Sequence, residues 1–236
     1  MRIDKFLSEM GVASRKETAQ AAKKGAVRVN GEVCREPDLH IDPEKDEISF
    51  FDRIIRYEKY RYIMLNKPDG YVSATEDVDA PTVLELLPDE YKKFDLFPCG
   101  RLDKHTLGLM LITDNGELAH RLLSPKHHVS KTYAYESKFP LSEADRVRLE
   151  AGVTLDDGYE TLPAKIELDE GASSGKITLT EGKYHQIKRM FEAVGNKITA
   201  LERISFGPLV LDPELERGEW RHLTADEISA LEDNGK

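Results

Sequence analysis

The run Leu107-Gly108-Leu109-Met110-Leu111-Ile112-Thr113 is apolar and of strand length, and the chain enters it from a loop punctuated by Pro98 and Gly100. Arg101 and then Asp103 stand just before the junction. A carboxylate placed there can project into a cleft while the strand behind it holds its backbone still. A nucleophile or a general base needs that arrangement. The same carboxylate could hydrogen-bond a turn or pair with Arg101, and for an isolated Arg-Leu-Asp triplet that is the better reading. The rest of the chain has to decide.

The first residues predict a small module. Ile3, Phe6, Leu7 and Met10 recur at helical spacing, and Gly11 follows as a stop. Ser14-Arg15-Lys16-Glu17 reads as a capping box opening a second helix through Lys24. Val27-Arg28-Val29 and Val33 flank Asn30-Gly31, a strong hairpin signal. Residues 38–58 are polar, acidic and then charged, and read as the end of the module plus a linker.

The chain of 236 residues exceeds the usual size of one core, so two domains are expected, 1–58 and 59–236. Net charge is −10, which taken alone argues against a nucleic-acid partner. The charge is uneven, however. Residues 1–37 carry eight Lys and Arg against five Asp and Glu, whereas residues 141–170 carry three against nine and residues 212–236 three against eight. An anionic partner is steered to the N-terminal segment. No apolar run reaches membrane-spanning length and the start lacks a signal-peptide pattern. Cys34 and Cys99 fit neither a disulfide framework nor a zinc spacing, so a cytoplasmic protein without a metal is expected.

Further along, Tyr60–Leu65 reads as a strand, Asn66-Lys67-Pro68-Asp69-Gly70 as a turn, and Pro81–Pro88 as a short helix. Asp114–Glu117 leads into a helix ended by Ser124-Pro125. In Lys126-His127-His128-Val129-Ser130-Lys131-Thr132-Tyr133-Ala134-Tyr135 the paired histidines have no further ligand at a suitable spacing, and a basic loop facing an anionic partner is the better reading. Tyr133 and Tyr135 share one strand face. Residues 141–170 read as an acidic helix and a strand-like region, and Lys176–Thr180 as a half-buried strand. Tyr184–Val194 reads as a helix with Ile187, Met190, Phe191 and Val194 on its apolar face and Lys188 and Arg189 off it. Thr224–Glu227 caps a last short helix.

Two resemblances tie these pieces together. Arg2-Ile3-Asp4-Lys5-Phe6-Leu7, Gly11-Val12-Ala13-Ser14-Arg15-Lys16-Glu17 and Gly25-Ala26-Val27-Arg28-Val29-Asn30-Gly31 resemble the S4 RNA-binding domain. That resemblance implies RNA-backbone contacts by Ser14, Arg15, Lys16 and Lys24, with Arg28 and Asn30 nearby. From about residue 60 onward the chain resembles the pseudouridine synthases, and within them the small-subunit ribosomal RNA group. The resemblance rests on Gly100-Arg101-Leu102-Asp103 with Thr106, Gly108 and Leu109, on Lys131-Thr132-Tyr133, and on Glu181-Gly182-Lys183-Tyr184-His185-Gln186-Ile187-Lys188-Arg189-Met190. Asn66-Lys67-Pro68-x-Gly70 and Gly218-Glu219-x-Arg221-x-Leu223-Thr224 extend it. Cys99 and Leu107 depart from the family's usual residues.

The resemblance implies an α+β chain: a small helix and hairpin module, then a catalytic domain with a mixed, mainly antiparallel sheet flanked by helices. It implies isomerisation of a uridine in small-subunit (16S) ribosomal RNA to pseudouridine, by a monomer needing no cofactor. Asp103 would be the catalytic carboxylate, attacking C1′ or taking a ribose proton. A cation of the third motif would keep it ionised, Lys188 by preference and Arg189 second. Tyr133 would stack on the uracil or assist the proton leaving C5. Arg101 would contact phosphate or support the loop. The competing readings are the same chemistry on large-subunit RNA, a non-catalytic S4-type RNA binder, and a glycosidase. The last lacks the second carboxylate that retaining glycosidases use.

Overall fold

The structure, a computed structural model, describes residues 1–234. They form two compact units, one comprising Met1–Tyr60 with Pro88–Asp95 and the other Arg61–Leu87 with Leu96 onward.

In the first unit, α1 (Ile3–Glu9) buries Ile3, Phe6 and Leu7 against Ala21 and Ala22 of α2 (Arg15–Lys23). Each such aliphatic or aromatic side chain contributes about 1.5–3 kcal/mol on burial. The capping box at Ser14 is present: the Ser14 amide donates to Glu17 Oε2 at 2.8 Å and the Glu17 amide to Ser14 Oγ at 3.3 Å. Hairpin strands β1 (Val27–Val29) and β2 (Glu32–Val33) follow. Residues 38–58, read as the end of the module plus a linker, hold two further strands. β3 (Ile48–Phe50) and β4 (Arg53–Ile55) complete an antiparallel sheet ordered β2-β1-β3-β4. Their turn, Phe51-Asp52, has φ values of 48° and 62°. That conformation usually announces itself by Asn-Gly, and here it does not.

The second unit is built on a mixed sheet with one parallel pair. Its strands are β5 (Tyr62–Lys67), β6 (Phe97–Pro98), β7 (Leu107–Thr113), β8 (Lys131–Ser137), β9 (Lys165–Leu168), β10 (Ser174–Leu179), β11 (Ile198–Phe206), β12 (Leu209–Val210) and β13 (Trp220–His222). The main order is β13-β5-β7-β11-β8-β10-β9, with β6 on β7 and β12 on β11. The apolar run is thus a central strand, and from Gly108 to Thr113 it is buried throughout. α4 (Glu143–Ala151) and α5 (Gln186–Ala193) close one core through Leu149, Ile187, Met190 and Phe191 against Tyr135, Ile166, Ile177 and Leu201. α3 (Gly116–Leu123) buries Leu118, Ala119 and Leu122, and Leu231 of α6 (Ala225–Asn234) is buried.

Two local expectations are corrected and one is refined. Asn66 and Lys67 are the buried end of β5, not a turn, because Asn66 is held by backbone hydrogen bonds to Gly218 and Glu219, just before β13, and Lys67 by pairing with Gly108. The short helix expected over Pro81–Pro88 is present as a 3₁₀ helix over Val83–Leu86, capped by Thr82 and Glu85. The third-motif helix begins at Gln186, leaving Tyr184 and His185 in the approach to it. β11, whose polar residues hide it in the sequence, lies at the middle of the sheet.

The sheet splits where β7 meets β11. The two pair in parallel only at Leu107–Gly108 with Glu202–Arg203, and further along β6 takes β11's place. Arg203 fills the gap: its Nε donates to the Leu109 carbonyl at 2.8 Å, its guanidinium lies 5.1 Å from the Phe206 ring, and it is 1% exposed. The split leaves a β7 carbonyl without a strand partner, and the buried guanidinium satisfies it.

Candidate active site

The loop before β7 is tethered on both sides of Asp103. Ser73 Oγ donates to the Leu102 carbonyl at 2.9 Å and accepts from the Leu102 amide at 3.0 Å. The Thr106 amide donates to the Asp103 carbonyl at 3.0 Å. From below, the fully buried Lys67 ammonium donates to the carbonyls of Lys104 (3.0 Å), Thr106 (2.9 Å) and Pro68 (3.1 Å). An ammonium has three donors, and these three carbonyls use them all. Burial pulls Lys67 down to about 8; Asp69 and Asp103 oppose that shift and Lys188 adds to it. Ser73 carries no signal in the sequence, and Lys67 enters it only within Asn66-Lys67-Pro68-x-Gly70, read as a turn.

The Asp103 carboxylate meets the start of α5. Lys188 Nζ donates to its Oδ2 at 3.0 Å, and His185 Nε2 lies 3.5 Å from Oδ1. Asp103 and Lys188 are each a little under one-third exposed, so the pair is shielded yet open on one side. Arg189 faces elsewhere. Its Nε donates to Asp156 Oδ1 at 2.6 Å, its Nη2 pairs with Asp157, and its Nη1 donates to the Tyr184 carbonyl. Of the two cations that the sequence left open, the structure brings Lys188 to Asp103 and turns Arg189 to the 156–157 loop. The turn before α5 is shaped by Glu181, which accepts from Gln186 Nε2, the Leu162 amide and Tyr159 Oη.

Tyr133 lies one row across the sheet. Gly108 pairs with Arg203, and Arg203 pairs with Tyr133. Tyr133 is therefore two strands from Gly108, about 10 Å at the usual strand spacing. It shares a face with Tyr135, whose ring meets Phe191 of α5 edge-on at 4.9 Å, and it packs partly exposed against the same core. Arg101 is exposed and makes no ion pair among the described residues. His105 Nδ1 sits 2.8 Å from Asp69 Oδ1 at the surface, and that hydrogen bond lowers the Asp69 carboxyl below its ordinary value.

In the other unit, Arg15, Lys16 and Lys24 are exposed on or at the end of α2. Ser14 spends its hydroxyl on Glu17. Arg28 donates to the Gly31 carbonyl and lies 3.7 Å from Asp52 Oδ1, while the Asn30 side chain bonds Asp46 and the Glu47 amide.

Residues 61–193 match the family model described as RNA pseudouridylate synthase, and residues 1–48 match that of the S4 domain. The chain belongs to the RNA pseudouridylate synthase family. This pseudouridine synthase is 46% identical over 234 residues to an uncharacterized RNA pseudouridine synthase of Bacillus subtilis, YtzG, covering 98% of both chains. It is 41% identical over 233 residues to the ribosomal small subunit pseudouridine synthase A of Haemophilus influenzae, covering 98% of this chain and 99% of the other. A crystal structure of a pseudouridylate synthase superposes with a TM-score of 0.69 at 39% identity, covering 98% of this pseudouridine synthase and 99% of that chain. The reaction named by the family is an isomerisation.

Proposed function

We propose that this pseudouridine synthase isomerises one specific uridine of small-subunit ribosomal RNA in the cytoplasm, with Asp103 as its catalytic carboxylate. The observation that carries this reading is the 3.0 Å pair between Lys188 and Asp103, set on a loop tethered by Lys67 and Ser73. The small-subunit assignment draws support from the Haemophilus influenzae relative.

The reaction breaks the bond between uracil N1 and ribose C1′ and joins C5 to C1′. The proton on C5 leaves and N1 gains one, so no atom or electron is added. Asp103 either attacks C1′ or removes a ribose proton, and both roles need an ionised carboxylate. Lys188 supplies the charge that favours this form. Tyr133, partly exposed at the rim of the core, offers an aromatic face to a uracil taken out of its stack. The exposed cations of α2 supply sequence-independent affinity for the phosphate backbone.

Pseudouridines are mapped in ribosomal RNA from cells with the gene, without it, and with Asp103→Asn. The expected result is one small-subunit position that loses its pseudouridine in both of the latter. Incubating purified enzyme with naked 16S RNA and with assembling particles identifies the substrate form. A lost large-subunit position, or a position that survives Asp103→Asn, overturns the proposal.

A further inference from the structure

Tyr184 is 74% exposed, an unusual position for a ring of this size beside a site rather than on a plain surface. One face of it lies on the His185 imidazole, with ring centres 3.8 Å apart and planes 19° from parallel. His185 in turn reaches Asp103 Oδ1 with Nε2 at 3.5 Å. The arrangement is held at some cost. His185 has φ of 48°, in the left-handed region that side chains other than glycine avoid, and the Tyr184 carbonyl is tied to Arg189 Nη1 at 3.3 Å. The neighbouring Lys183 ammonium covers a different ring, Tyr159, at 4.4 Å. The outer face of Tyr184 is left to water.

We infer that the Tyr184 ring, backed by His185, is a stacking platform for an unpaired RNA base adjacent to the uridine being isomerised. This rests on the reading of Asp103 as the catalytic carboxylate. His185 touches Asp103 by its edge and Tyr184 by its face, so Tyr184 stands one ring further from the carboxylate. A nucleotide whose ribose meets Asp103 has its own base elsewhere, and its neighbour is the base within reach of the platform. Every base has a π-face, so the subsite tolerates sequence and favours single-stranded RNA. Extruding a uridine unstacks its neighbours, and a protein ring that takes over one of them offsets that loss.

The test uses full-length enzyme and the ribosomal RNA fragment it modifies, with 2-aminopurine placed in turn on each side of the target uridine. Wild type and Tyr184→Phe are expected to quench the fluorophore at one of the two positions and to share one KM. Tyr184→Leu and Tyr184→Ala are expected to lose the quench and raise KM about tenfold, with kcat changed less than about twofold. Thermal melting verifies that each variant is folded. If the Leu and Ala variants keep the quench and the KM, or if only kcat falls, or if Phe fails along with Leu, the platform is wrong. Asp103→Asn is run in parallel. Turnover by that variant sinks the catalytic reading itself, whereas a dead Asp103→Asn with an unaffected Tyr184→Leu sinks the platform alone.

Discussion

Lys188 Nζ lies 3.0 Å from Asp103 Oδ2, while the next residue, Arg189, turns its guanidinium to Asp156 and Asp157. Two adjacent cations on one helix therefore have different work. Lys188→Met removes the charge beside the carboxylate and is expected to lower kcat about 10²–10³-fold, the usual effect of deleting one preorganised charge-stabilising group. Arg189→Gln loosens the 156–157 loop and is expected to cost less than about tenfold, since a surface pair contributes little. Single-turnover rates on the modified RNA fragment measure both. Equal losses would mean that the pairing is not what sets the rate.

The buried ammonium of Lys67 gives the enzyme a pH dependence of its own. Burial lowers it to about 8 from an ordinary value of 10.5, so between those pH values the unfolded chain holds a proton that the folded chain has released. Linkage then makes this group's contribution to folding stability rise as pH climbs through that window. Activity is expected to move the opposite way. A neutral amine has two N–H donors for the three carbonyls of Pro68, Lys104 and Thr106, and the loop carrying Asp103 loosens. The kcat profile of the wild type should fall above about pH 8, where Lys67 loses its proton. Lys67→Met should start about 10- to 100-fold lower at neutral pH, from misplacement of the carboxylate, and lack that alkaline fall. Lys131, also drawn to about 8 by burial, titrates in the same window, which is why the two profiles must be compared. Parallel profiles would assign the fall to another group.

Lys67 also marks where sequence reading stops. Pro68 and Gly70 give Asn66–Gly70 the composition of a turn, and the carbonyls that surround the ammonium come from residues 104 and 106. The motif Asn66-Lys67-Pro68-x-Gly70 marks Lys67 without showing its role, which depends on two carbonyls distant in the chain. Arg203 likewise depends on a distant partner, Leu109, 94 positions away. β3 and β4 are hidden differently: a glycine-free turn joins them. What was legible is what is local or carried by family motifs: the amphipathic α1, the capping box at Ser14, the apolar β7, and the order of the three motifs. Resemblance put Lys188 ahead of Arg189 as the cation at Asp103, and the geometry places Lys188 there and Arg189 on Asp156 and Asp157.

Gly108 is a position where the sheet tolerates little. Its φ is 96°, and a Cβ there would lie 2.3 Å from the Arg203 carbonyl oxygen and 2.9 Å from the Arg203 nitrogen. Both are backbone atoms of the neighbouring strand and cannot swing aside. Gly108→Ala is expected to lower unfolding stability by roughly 2–4 kcal/mol in a urea titration. Gly116→Ala, at the start of α3 with nothing within 4 Å, is the control. It should be neutral or stabilising by up to about 1 kcal/mol. A Gly108→Ala midpoint within error of wild type would show that β7 and β11 can part at this point without cost.

The S4 unit offers a separation between electrostatics and folding. Arg15, Lys16 and Lys24 are exposed and make no ion pair among the described residues, whereas the Ser14 hydroxyl is committed to Glu17. Neutralising a cation that touches phosphate removes one counterion-release event, so each of Arg15→Gln, Lys16→Gln and Lys24→Gln should reduce the slope of log Kd against log salt by about one. Ser14→Ala carries no charge change. It should leave that slope intact while lowering stability by about 1 kcal/mol through the lost cap. Arg28, shared with Gly31 and Asp52, should give a smaller slope change than the three free cations. Titrating the modified RNA fragment from about 50 to 200 mM salt resolves these cases. A slope that falls with Ser14→Ala but not with Lys16→Gln would move the RNA contact off the α2 cations and onto the cap itself.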